Sequence, residues 1–91
     1  MFVFDFDEQT INDTKVKIGK LTALMRKNSG LSQGELAKQL AVSRFTITNL
    51  ENGRNVTIDT LLKVFRHFGA LDRLSSFIQQ LSEEQNIKPL Y

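Results

Sequence analysis

Two helix starts lie close together in the middle of this chain, and they constrain its fold more than any other feature. Ser32 is a good N-cap, and Glu35 three residues on completes a capping box. Ser43 caps a following helix that reads through about Asn52. Ala41-Val42 connect the two, so two short helices meet at a turn of about three residues. Leu36, Ala37 and Leu40 form the inner face of the first helix, and Ile47 and Leu50 that of the second. Ala37 is small where the second helix must cross closely. Val42 points inward from the turn, and Gly53 suits the left-handed residue after a helix end. The outward face of the second helix is left free: Arg44, Thr46 or Thr48, and Asn49, with Phe45 among them. A B-DNA major groove admits one α-helix, so such a helix can act as a groove probe.

Helical patterning continues on both sides. Asn12, Asp13 or Thr14 is placed to cap a helix running to about Asn28, with Ile18, Leu21, Leu24 and Met25 as its apolar face and Gly30 as its stop. Thr57 caps a fourth helix, with Asp59 in its first turn. Leu61, Leu62, Val64, Phe65 and Phe68 face inward, and Gly69 closes it. A fifth helix reads from about Leu71 to Leu81 through Leu71, Leu74, Phe77, Ile78 and Leu81, and Phe65, Phe68 and Phe77 read as an aromatic core face. Residues 82–91 are mostly polar, contain the single proline and read as a mobile tail. The start is different. Phe2, Phe4 and Phe6 alternate with Val3, Asp5 and Asp7, which predicts a short strand-like arm over residues 1–12, although nothing later reads as a second strand. The expected division is therefore an arm at 1–12, a helical domain at 13–81 with the two central helices at 33–52, and a tail at 82–91.

Composition excludes several chemistries. There is no cysteine, so disulfides, thiol catalysis and cysteine metal sites are absent. There is one histidine, His67, placed near a helix end where a cation interacts well with the dipole. Without clustered carboxylates to accompany it, no catalytic group, metal or cofactor is expected. No apolar run approaches the roughly 20 residues of a membrane span, and no signal peptide is apparent, so a cytoplasmic location is expected. The net charge of +2 is uneven. Residues 1–13 carry Asp5, Asp7, Glu8 and Asp13 and no cation, hence −4, while the rest carries 12 basic and 6 acidic side chains, hence +6. A basic body attracts polyanions such as nucleic acid.

The segment GLSQGELAKQLAVSRFTITNLENG resembles the helix-turn-helix of the Cro/CI-type regulators, the XRE family. The likeness covers about residues 16 to 70, through Leu31-Ser32-Gln33, Glu35-Leu36-Ala37, Val42-Ser43, Ile47, Leu50-Glu51 and Asn52-Gly53. It implies an all-α, five-helix domain of the lambda-repressor type. It implies that Gln33 faces a phosphate, and that Ser43, Arg44, Phe45 and Asn49, with Thr46 and Thr48 beside them, fall where the family places groove contacts. Arg44 suits guanine, Asn49 adenine, and Phe45 thymine methyls or the shielding of the helix edge. Asn52, Arg54 and Asn55 would lie beside the DNA backbone, and Arg26 and Glu51 match a structural salt bridge. Ala41 departs from the pattern, since the family often has glycine there; alanine at positive φ would cost on the order of 1 kcal/mol.

The function that the likeness implies is a transcriptional repressor acting as a homodimer on a palindromic operator in double-stranded DNA. The fifth helix, through Leu74, Phe77, Ile78 and Leu81, is the expected dimer surface by resemblance. The Phe2, Phe4 and Phe6 arm either pairs with its mate across the two-fold, docks onto a different protein, or stays disordered. The alternative is an antitoxin that also represses its own operon, because the small size, the arm and FGALDRLSSFIQQL resemble regulators that accompany HipA-like kinase toxins.

Overall fold

The computed structural model describes the backbone of residues 2–87 and the side chains of residues 9–86. The order is α1 (Phe2–Asn28), α2 (Gln33–Leu40), α3 (Arg44–Glu51), α4 (Ile58–His67) and α5 (Leu71–Ile87), with no strand among the described residues. The all-α, five-helix expectation holds. Three helix starts also lie where the cap residues predict. Ser32, Ser43 and Thr57 all have extended backbone, and their hydroxyl oxygens accept from the amides of Glu35, Thr46 and Thr60. At Ser32 the box is complete, with Glu35 Oε1 accepting from the Ser32 amide at 2.7 Å.

Helices α2 and α3 have eight residues each, too few to persist alone, so packing must hold them. They pack on each other, α1 packs on α3, α4 on α2, and α5 on α4. Leu36, Ala37, Leu40, Ile47, Leu50 and Val64 are the buried centre. Ile18, Met25, Leu31 and Val42 pack around it.

Four expectations are corrected. The strand-like arm is helical: the chain from Phe2 is the first part of α1, running without a break past Asp13. A lone strand would leave its backbone donors and acceptors unpaired, whereas extending an existing helix satisfies them internally and needs no new nucleus. The side chains of Phe2, Phe4 and Phe6, and the contacts expected of them, lie outside the described residues.

The inner face of α1 also differs. Leu21 and Leu24 are exposed, and the stripe facing the core is Ile18, Gly19, Thr22, Met25 and Arg26. Small residues let α3 come close: a Cβ on Gly19 would sit 2.6 Å from the carbonyl oxygens of both Leu50 and Glu51. Thr22 is fully buried, and its hydroxyl is satisfied by the carbonyl of Ile18 at 2.9 Å.

Helix α5 continues to Ile87, past its expected end at Leu81. Glutamate and glutamine are good helix formers, and Gln79 Nε2 donates to Glu83 Oε2 across one turn at 3.4 Å. Residues 88–91 lie outside the described residues. Finally, Phe65 and Phe68 are half-buried, but Phe77 is exposed, so the aromatic face does not extend to α5 as core.

The turn between α2 and α3 answers the question posed by Ala41. It has φ 59° and ψ 43°, a left-handed residue, and its amide donates back toward α2. Ala41 is therefore held in the conformation that glycine takes at lower cost.

Candidate nucleic-acid interface

Helix α3 presents two sides with different tasks. Ile47 and Leu50 are buried against the body. At about 100° per residue, Phe45 and Asn49 lie about 160° and 200° around the axis from Ile47, so they face directly away from the core. Arg44, the first helical residue, is also exposed, and Phe45 is 70% exposed. Arg44 and Phe45 are the exposed side chains of this outer surface, and Asn49 beside them is half-buried.

The remaining predicted residues fall into separate groups. Ser43 and Thr46 are joined to each other: their hydroxyls are 2.9 Å apart, and Ser43 Oγ accepts from the Thr46 amide at 3.0 Å. Both therefore help to start α3. Asn52 is the exposed C-cap residue, with its amide on the carbonyls of Thr48 and Asn49. Arg54 extends back over the helix and donates through Nη1 to Asn49 Oδ1 at 3.5 Å.

Gln33 differs from expectation. Its side chain is turned to α3: Nε2 donates to Glu51 Oε1 at 2.9 Å, and Oε1 accepts from Thr48 Oγ1 at 3.1 Å. Thr48, expected outward, is half-buried by the same contact. The backbone amide of Gln33 lies at the start of α2. The amides of Glu35 and Leu36 are already taken by Ser32, while those of Gln33 and Gly34 have no partner within the helix.

The expected Arg26–Glu51 pair is present and anchors this arrangement. Arg26 Nε and Nη2 meet the two carboxylate oxygens of Glu51 at 2.7 and 2.9 Å, a forked pair. Arg26 Nη1 donates to the carbonyl of Leu31 at 2.9 Å. The side chains are 10% and 7% exposed. Burial pushes the Glu51 carboxyl up, but the hydrogen bonds from Arg26 and Gln33, helped by the charges of Arg26 and Lys27, outweigh it and hold Glu51 below its ordinary 4.5. One ionised carboxylate thereby ties α1, the start of α2 and the end of α3 together.

Lys15 was missed in the sequence. Its Nζ donates to Asn55 Oδ1 at 2.7 Å, which brings a cation from α1 to the loop after α3, beside Arg54. The two residues are 40 apart in the chain, and no local pattern signals such a meeting. Gly19 was missed for another reason: a glycine inside a helix reads as neutral until the neighbouring helix is known.

This geometry is that of two helices crossing at a short turn, the second held from behind and free in front. The profile of the helix-turn-helix family matches residues 23–73, more than half of the chain. The chain belongs to the XRE-type helix-turn-helix family. The matched residues include both α2 and α3, the two helices that meet at the turn. A relative in Archaeoglobus fulgidus, described as a candidate HTH-type transcriptional regulatory protein, is 34% identical over 68 residues. The match covers 69% of this chain and 22% of the relative, so the chain spans about a fifth of that protein's length. Among the described residues no group of three or more His, Asp or Glu side chains is placed to hold a metal ion, and no helix is long and apolar enough to cross a membrane.

Proposed function

We propose that this protein is a sequence-specific repressor that binds a palindromic operator as a homodimer, with α3 in the major groove. The observation that carries the reading is the division of α3 into a fixed inner side and an outer side that bears exposed Arg44 and Phe45 and half-buried Asn49. Arg44 is suited to a forked contact with guanine, and Asn49 to adenine. Lys15, Arg54, Asn52, Asn55 and the Gln33 amide border this face and serve the phosphates. Two copies of α3, about 34 Å apart, would then enter successive major grooves on one side of the duplex.

Helix α5 supports the dimer. Phe77, Ile78 and Leu81 are exposed along it, with Leu74 half-buried beside them. Apolar side chains at this helical spacing suit a second copy of the same helix. The antitoxin reading draws on the same stripe, which would in that case receive a partner protein; co-purification with a second protein would favour it. A dimer at micromolar concentration supports the repressor reading, and a monomer both alone and on DNA removes it.

The deciding experiment for DNA binding is fluorescence anisotropy against duplexes tiling the region upstream of the gene, at two salt concentrations, with random duplex as control. Tight binding to one palindromic duplex that survives the higher salt is expected. Weak binding, equal on every duplex and abolished by salt, would overturn the proposal.

A further inference from the structure

Phe45 is the least expected side chain on the outer face of α3. It is 70% exposed, and among the described residues it has no aromatic partner. It lies one turn before Asn49 on the face turned away from the core, so it is as far forward as any residue of the helix. Its neighbours do not cover it: Ser43 and Thr46 are joined to each other, and Arg54 reaches Asn49 instead.

A phenyl ring has neither donor nor acceptor. In the major groove it cannot read N7, O6, N4, N6 or O4, all of which need hydrogen bonds. The one apolar feature on the base edges is the C5-methyl of thymine. Burying that methyl against the ring removes apolar surface on both sides from water. We infer that Phe45 is a specificity residue that reads a thymine methyl in each half-site, next to the bases contacted by Arg44 and Asn49. This rests on the DNA-binding reading above and adds to it a chemical class of base edge.

The test begins with selection of a preferred duplex from a random pool by the full chain. Each thymine of that duplex is then replaced singly by deoxyuridine, which removes the methyl and nothing else. Binding is measured by anisotropy for the parent and for Phe45→Ala, whose urea transition should match the parent because the side chain is exposed. With the parent, one thymine per half-site should weaken binding about fourfold on replacement, the ratio that corresponds to one buried methyl group. With Phe45→Ala the same replacement should have no effect. The inference is overturned if no deoxyuridine weakens parent binding, or if the loss persists in Phe45→Ala; in both cases DNA binding itself still stands. If the pool yields no preferred duplex, the DNA-binding reading fails first and takes this inference with it.

Discussion

Gly19→Ala adds one methyl group at the point where α1 and α3 touch. The new Cβ would lie 2.6 Å from two backbone carbonyl oxygens, Leu50 O and Glu51 O, and 2.9 Å from the Glu51 carbonyl carbon. None of these atoms belongs to a side chain that could rotate away. Relief to the 3.4 Å of ordinary contact requires α3 to shift relative to α1. Overpacking of this kind costs about 1–3 kcal/mol, and the backbone contact places it near the top of that range. Alanine also returns about 1 kcal/mol through its higher helix propensity. The net loss is about 2 kcal/mol, a large share of the stability of a domain this size but not all of it. With a urea slope of about 1–1.5 kcal/mol/M, the midpoint should fall by about 1.3–2 M. Gly34→Ala is the control. A Cβ there meets nothing closer than Ser32 Oγ at 3.9 Å, so the same change should be neutral or stabilising by a few tenths of a kcal/mol. If Gly19→Ala matches or exceeds the parent in urea, the close approach of α1 and α3 is wrong.

Three other perturbations test different parts of the structure. Ala41→Gly removes a left-handed alanine that costs about 1–2 kcal/mol and adds about 0.5–1 kcal/mol of unfolded-chain freedom, so thermal or urea unfolding should show a gain of about 0.5–1 kcal/mol. Glu51 has a depressed folded value, so its contribution is fully present well above 4.5 and is lost as pH falls through and below that value. Glu51→Gln should cost about 2–3 kcal/mol at pH 7, and urea titrations should show its deficit shrinking as the pH drops into that acid window. On DNA, Arg44→Ala should cost about 1–3 kcal/mol on the selected duplex and little on random DNA, whereas Lys15→Ala should weaken both alike and lower the salt slope by about 1.

What could be read in the sequence was what is local. The helix starts at Ser32, Ser43 and Thr57 rest on hydroxyl-to-amide bonds that span three residues, so the cap residues announce them. The inner faces of α2 and α3 follow from leucine and isoleucine spacing. The inner face of α1 did not follow, because its central positions are Gly19, Thr22 and Arg26. A glycine selected for closeness, a threonine bonded to its own helix and an arginine neutralised by Glu51 all look polar or neutral in a hydrophobicity pattern. The bonds of the Gln33 side chain are not legible for a similar reason: its partners Thr48 and Glu51 lie on another helix. The arm was misread because alternation is a strand signal only when a second strand exists to receive it.

The eight residues of α3 cannot fix their own orientation, and three independent contacts do so for them. Ile47 and Leu50 enter the core, Gly19 admits the carbonyl end, and Glu51 is held by Arg26 and Gln33. Arg44 and Phe45 take part in none of these, and Asn49 enters them only through its backbone and a long contact to Arg54. On the proposed function, stability and sequence preference are therefore carried by different residues on the same short helix. Changes at Gly19 or Glu51 should weaken binding to all duplexes together, by reducing the folded fraction or tilting the helix. Changes at Arg44, Phe45 or Asn49 should leave the urea midpoint nearly fixed and alter which duplex is preferred. If α3 reads an operator as proposed, a chain with this division can acquire a new one without first acquiring extra stability, because Arg44 and Phe45 make none of the contacts that hold the helix in place.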